Sequence, residues 1–191
     1  MNTELLRSKF EEEIKLFPYA DLFPKLHSSV FVAPGAKIIG DVEIGANSSV
    51  WYNCVVRGDV NYVKIGELTN IQDLSMLHVT NGKYPLVIGN KVTVGHSVTL
   101  HGCTLQDLCL IGMGAVILDG TLIEKYSMVA AGSVLRPGFI APSGKLVAGV
   151  PAKVVRDLTE NEIKEFEESA LRYSYYTKTT TESLKKNNFT L

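Results

Sequence analysis

The chain has almost no excess charge: 19 Lys and Arg stand against 20 Asp and Glu, a formal net charge of −1 at pH 7. Its basic residues are scattered, and only Lys185 and Lys186 adjoin. Without a basic stripe there is no footprint for a phosphate backbone, so no nucleic-acid partner is expected. No apolar run approaches the ~20 residues that cross a bilayer, so no membrane association is expected. Charges interrupt every apolar stretch from Met1 to Leu16, which argues against a secretory leader. Glu4, Glu11, Glu12 and Glu13 argue against a transit peptide in the same segment. Cysteine is scarce, with Cys54, Cys103 and Cys109 the 3 present, and they lack the CxxC spacing of a zinc ribbon. They are read as small, reduced core side chains, and the expected location is the cytoplasm.

What is present is a six-residue clock. Stepping by six from Leu26 lands on Val32, Ile38, Ile44, Val50 and Val56. Further runs are Ile65, Ile71 and Leu77; then Ile88, Val94 and Leu100; then Ile111, Ile117, Ile123, Val129 and Leu135. Every position is aliphatic, and most are Val or Ile. Neither the two-residue period of an ordinary strand nor the 3.6 of a helix produces this. A parallel β-helix does, because each hexapeptide is one short strand plus a corner, with its first residue (i) pointing into the axis. The expected fold is therefore an all-β solenoid, a single-stranded left-handed parallel β-helix with a C-terminal α-helix. Glycine follows i at Gly45, Gly66, Gly89, Gly95 and Gly112. Its expected role there is to take corner dihedrals that other residues avoid.

The clock slips three times. The step from Val56 to Ile65 is long by three residues. The step from Leu77 to Ile88 contains Asn81-Gly82-Lys83-Tyr84-Pro85, which is turn chemistry and is read as a loop. The step from Leu100 to Ile111 fits either a loop or one short rung. Residues 1–17 form an N-terminal extension, with a short helix expected over 3–16. Residues 18–157 form the β-helix, and residues 158–191 a C-terminal helix and polar tail. Thr159-Glu160-Asn161-Glu162 is a capping-box pattern that starts this helix. Ile163, Phe166, Ala170 and Tyr173 lie along one stripe of it, and from about Thr177 the polar tail is expected to be mobile.

Three of the 4 histidines fall in one window. His78 and His101 each follow an i residue, so they share a wall on successive coils, together with Arg57. His96 stands two past Val94, on another wall, with Gln72 and Asp73 nearby on the clock. One chain can bring His78 and His101 together, and a second chain could supply His96. Three neutral imidazoles with an open position are the pattern of a catalytic zinc. The same spacing also fits three hydrogen-bonding histidines. His27 lies far off and is read as structural.

These residues resemble the gamma-class carbonic anhydrases. The matching stretches are Val56-Arg57-Gly58-Asp59, Thr69-Asn70-Ile71-Gln72-Asp73, Leu77-His78-Val79, Val94-Gly95-His96, Leu100-His101-Gly102-Cys103, Ile111-Gly112-Met113-Gly114 and Gly149-Val150-Pro151-Ala152-Lys153. The resemblance covers roughly residues 18–175. It implies a homotrimer with metal sites at the subunit interfaces, His78 and His101 coming from one subunit and His96 from its neighbour. The implied metal is zinc, with iron(II) or cobalt(II) as alternatives that imidazole also accepts. The implied reaction is reversible hydration of carbon dioxide to bicarbonate by metal-bound hydroxide. Gln72 would orient the metal-bound solvent, Asn70 would assist near the substrate, Arg57 would contact bicarbonate, and Tyr173 would line the pocket. Asp59 and Asp73 would be ion-pair partners of Arg57 that hold the interface.

One departure weakens the implied activity. Family members can carry a glutamate just after the Arg-x-Asp element and another in the loop after the first histidine, and these are linked to proton transfer. Here the first position is Val60, and Thr80 to Pro85 hold no carboxylate. A metal-binding trimer without hydratase activity is therefore the first alternative. The second is a hexapeptide acyltransferase, which would use His78 or His101 as general base.

Overall fold

The computed structural model describes residues 15–187. It is the left-handed β-helix expected, closed on one flank by a helix α1 (Glu160–Lys186). Its three walls are parallel ladders. The first wall stacks Ile38, Val56, Leu77, Leu100, Ile117 and Leu135. The second stacks Leu26, Ile44, Ile65, Ile88, Leu105 and Ile123. The third stacks Val32, Val50, Ile71, Val94, Ile111 and Val129. Ile38, Val56, Leu77, Leu100, Ile71 and Ile111 are fully buried, so the clock marks the axial core. β-Branched side chains suit these places because they pack on a pleated surface with little rotamer freedom to lose.

The three slips have different structures. The extra residues after Val56 ride on the strand Val55–Ile65, which turns a corner and joins the first two walls into one sheet. The loop after His78 is a turn closed by a bridge between Thr80 and Tyr84. The step from Leu100 to Ile111 is a short rung: Leu105 enters the core only five residues after Leu100, with the strand Thr104–Leu105 around it. Gly102, at φ +52, makes the tight corner.

The corner glycines play a different part from the one expected. At the residue after i the backbone is not left-handed, and the constraint is space. A Cβ on Gly66 would lie 2.7 Å from backbone atoms of Gly89, and one on Gly112 would lie 2.4 Å from Ala131 N, each in the next coil. Left-handed φ occurs at the third residue after i instead, for example Asn53 (+58), Leu74 (+63) and Ser97 (+57). Corner hydroxyls close the gaps between coils, with Ser48, Thr69 and Ser75 donating to the carbonyls of Gly66, Gly89 and Gly95.

Only the last residues of the N-terminal extension are described. Leu16 and Phe17 pair as a strand with Ile38 and Ile39, and the rest of the expected helix lies outside the described residues. At the other end the capping box forms as expected: Thr159 accepts from Glu162 N, and Glu162 reaches back to Thr159 N. Phe166, Ser169 and Ala170 are buried against the third wall, where α1 meets the strands Ser49–Val50 and Thr93–Val94. The helix does not stop at Thr177 but continues to Lys186. Its threonines satisfy their hydroxyls locally, Thr177 donating to Ser174 O and Thr179 to Tyr175 O, while Thr177, Thr180, Thr181 and Leu184 are half-buried. No helix among the described residues is long and apolar enough to cross a membrane.

Candidate metal centre

His78 and His101 are register partners on adjacent coils of the first wall, so their rings project side by side. Each is held from behind by a carboxylate. His78 Nε2 lies 3.0 Å from Asp59 Oδ1, and His101 Nδ1 lies 2.6 Å from Asp119 Oδ1. A carboxylate only accepts, so each of those nitrogens carries the proton in the neutral ring. The other two nitrogens, His78 Nδ1 and His101 Nε2, then present lone pairs to each other 3.1 Å apart. Two facing lone pairs need a cation between them. A shared proton is one solution. A metal is the other, since two tetrahedral nitrogen ligands at 2.0–2.1 Å stand about 3.3 Å apart. The donor set therefore fits a zinc-class ion, in the carboxylate–histidine–metal arrangement that fixes tautomer and ring direction.

His96 sits at the corner after the third wall. Its Nδ1 is 2.8 Å from Asp73 Oδ2, and its side chain is 44% exposed against 18% for His78. It repeats the same device, one nitrogen tied to a carboxylate and Nε2 left over. It does not join the other two within the chain: among the described residues no three His, Cys, Asp or Glu side chains gather as a metal site. One chain thus presents a two-histidine half on one wall and a one-histidine half on another.

The neighbouring polar residues divide between these halves. Arg57 bonds to Asp59, whose carboxyl is pushed up by burial but pulled below its ordinary range by the hydrogen bonds from His78 and Arg57. Asp73 bonds to His96 within its own chain. Gln72 and Asn70 are buried on the third wall, Gln72 Nε2 donating to Asn70 Oδ1 at 3.1 Å. Asn70 itself is 1% exposed, so it meets the site through its hydrogen bond to Gln72 rather than directly. Tyr173 comes from α1 and meets Trp51 edge-on at 5.6 Å. It lines a groove of about 330 Å³ with Trp51, Tyr52, Asp73 and Tyr176. Burial and the nearby Asp73 push its phenol up.

Two features were not apparent in the repeat pattern. Asp119 orients His101 and is itself gripped by Thr80, whose hydroxyl is 3.0 Å from both carboxylate oxygens. The loop carrying Thr80 also packs on the residues after Asp59, with Gly82 N–H donating to Val60 O at 3.3 Å and Asn61 Nδ2 to Thr80 O at 3.1 Å. Val60 and the carboxylate-free loop are thus one continuous rim beside His78. The three cysteines are buried and unpaired, and burial pushes their thiols up, Cys54 to about 11 and Cys109 to about 12. At neutral pH they are protonated core side chains rather than ligands.

The fold and the histidine–carboxylate pairs define a hexapeptide-repeat protein with a divided imidazole site. A family model described as bacterial transferase hexapeptide (six repeats) matches residues 23–58. The chain is 48% identical over 173 residues to gamma carbonic anhydrase 1, mitochondrial, of Arabidopsis thaliana, covering 88% of this chain and 63% of that protein. It is 46% identical over 148 residues to the probable carbonic anhydrase of Methanocaldococcus jannaschii, covering 78% of this chain and 92% of that one. A crystal structure of a hexapeptide transferase family protein from Anaplasma phagocytophilum matches with a TM-score of 0.83 at 46% identity, covering 86% of this chain and 97% of that one. The chain belongs to the gamma carbonic anhydrase family. It spans only about three fifths of the length of the plant relatives, 63% of the first and 57% of a second.

Proposed function

We propose that the chain is a trimeric, metal-dependent carbonic anhydrase whose turnover is limited by proton transfer. The observation that carries the reading is the pair of carboxylate-tied imidazoles aiming two lone pairs at one point, with a third such imidazole on another wall. His78 and His101 of one subunit and His96 of the next would hold the ion, zinc by donor type, with iron(II) or cobalt(II) as alternatives. Such an ion lowers the pKa of a coordinated water to about 7, so that a nucleophile for carbon dioxide exists at neutral pH. Asp59, Asp73 and Asp119 keep the three rings in the binding tautomer. Gln72, its nitrogen occupied by Asn70, offers Oε1 as an acceptor that orients the nucleophilic water. Arg57, partly exposed and paired with Asp59, would contact the bicarbonate product. A reducing compartment such as the cytoplasm suits the three free cysteines.

Regenerating the nucleophile requires a group that takes a proton to buffer. Val60 cannot do so, and the adjoining loop holds no carboxylate. The test is stopped-flow hydration on metal-loaded protein across imidazole-type buffer concentrations, with Val60→Glu alongside. The rate should climb with buffer, and Val60→Glu should raise it at low buffer by roughly tenfold, less than the ~10²–10⁴-fold of a fully positioned acid–base group because the new carboxylate is not held in place by partners. A fast rate indifferent to buffer would show that another group carries the proton. No rate above background at full metal occupancy would favour a metal-binding trimer with another role.

A further inference from the structure

Four buried polar side chains form one unbranched line from α1 to the candidate site. Gln72 Nε2 donates to Asn70 Oδ1 at 3.1 Å, and Asn70 Nδ2 donates to Thr93 Oγ1 at 3.0 Å. Thr93 Oγ1 then lies 3.1 Å from Ser169 Oγ, 76 residues further along the chain. Gln72, Asn70, Thr93 and Ser169 are all buried. Among the described residues every buried side-chain N and O has a partner.

Proton counting gives this line a direction. An amide NH₂ only donates, so Thr93 accepts from Asn70. The single hydroxyl proton of Thr93 must then go to its other neighbour, Ser169, because a buried donor left without an acceptor is costly. Asn70 is thereby held with its carbonyl toward Gln72, and Gln72 with its NH₂ toward Asn70. Gln72 Oε1 accepts no hydrogen bond among the described residues; since no buried side-chain oxygen there lacks a partner, it is the accessible end of an otherwise buried side chain, and Gln72 adjoins Asp73, the carboxylate that holds His96.

We propose that Ser169 of α1 is a positioning residue that sets the amide polarity of Gln72 through Thr93 and Asn70, so that Gln72 offers the site an acceptor rather than a donor. Without the Ser169 oxygen, the Thr93 proton turns to Asn70. Asn70 then rotates its carbonyl toward Thr93 and its NH₂ toward Gln72. Gln72 in turn must accept with Oε1 and swing Nε2 outward. Loss of one hydroxyl on the helix inverts two amides and reverses the sign of the group facing the nucleophilic water. The catalytic weight of this reversal rests on the carbonic anhydrase reading, while the polarity itself does not.

The test separates the two. Full-length protein carrying ¹⁵N-labelled Asn and Gln side chains, metal-free and zinc-loaded, is followed by hydrogen exchange of the Gln72 amide protons. In Ser169→Ala their exchange should quicken by roughly tenfold, the protection of about one net hydrogen bond. Ser169→Thr, which keeps the hydroxyl, should leave it slow. Thr93→Val, close in shape, probes the same link from the strand and should also quicken it, which covers a failure of Ser169→Ala to fold. Slow exchange in both folded variants overturns the proposal. Under the carbonic anhydrase reading, Ser169→Ala also loses kcat with its metal content unchanged. A wild-type protein without hydratase activity tells against that reading and leaves the exchange rates to decide the polarity.

Discussion

At His101 the direction of the ring is decided by a carboxylate from the next coil. Asp119 takes the proton-bearing Nδ1, and Thr80 in turn holds Asp119, so that Nε2 faces His78. Groups that orient a ligand imidazole typically account for 10–100-fold in metal affinity. Asp119→Ala should therefore weaken zinc binding by roughly 10–100-fold while leaving the thermal stability of the metal-free protein nearly unchanged, because the Asp119 and His101 side chains are about a third exposed and water can replace the lost acceptor. Titration against a competing chelator measures the first and a melting curve the second. Unchanged affinity would show that packing alone orients His101. The histidines themselves were legible from sequence, because their places after Leu77, Val94 and Leu100 assign each to a wall. Asp119 was not. It stands two past Ile117, where nothing distinguishes it from other corner carboxylates such as Asp107. Its role depends on Gly102, where a Cβ would come within 2.5 Å of Asp119 Oδ1 and 2.7 Å of Tyr84 Cβ.

Among the elements, the strands were the most legible, since their inward residues obey a strict period that no helix or flat sheet shares. The short rung at Leu105 escaped because a five-residue step, read alone, cannot be told from a loop. The length of α1 escaped because Thr177 and the threonines at 179–181 have weak helix propensity, and only their local hydroxyl bonds and a half-buried stripe keep the helix going. Its start was legible because a capping box is a local device. That start is also a pH-dependent one. Arg156, then the Thr159 backbone, hold the Glu162 carboxyl down at about 2, against an ordinary 4.5. A carboxyl lowered in the folded state stabilises it above its unfolded value, and that stabilisation is lost as pH falls through the folded one. Glu162→Gln keeps the capping hydrogen bond and removes the charge. It should lower Tm only slightly at pH 7, because an exposed ion pair is screened by solvent, with the gap from wild type narrowing below about 4.5 and closing near 2. Parallel thermal melts across that range provide the check, and a gap independent of pH would assign the effect to shape rather than charge.

For the whole molecule, the decisive geometry is the division of the imidazoles between walls. His78 and His101 meet at 3.1 Å, while His96 stands on another corner tied to Asp73. A ring of three copies would bring each two-histidine half against a neighbour's one-histidine half, making three equivalent sites under closed cyclic symmetry. This arrangement has a numerical consequence for mixed assemblies. His78→Ala and His96→Ala should each abolish tight metal binding when assembled alone, since every interface then lacks a ligand. After subunit exchange in equal amounts, a site is complete only where a His96→Ala chain supplies His78 and His101 and the neighbour following it is a His78→Ala chain. Random mixing makes that combination at about one quarter of the interfaces, each of the two choices having even odds. Metal analysis of the exchanged mixture should therefore recover about a quarter of wild-type content, and the metal should reside in heteromeric trimers resolved by native mass spectrometry. A pair of His78→Ala and His101→Ala provides the contrast. Both ligands come from the same half, so no interface in that mixture is complete and metal should stay near zero. Recovery in both mixtures would mean that the halves exchange in some other way. Recovery in neither, after exchange is demonstrated, would place all three ligands on one chain and require His96 to leave Asp73 and cross to the first wall.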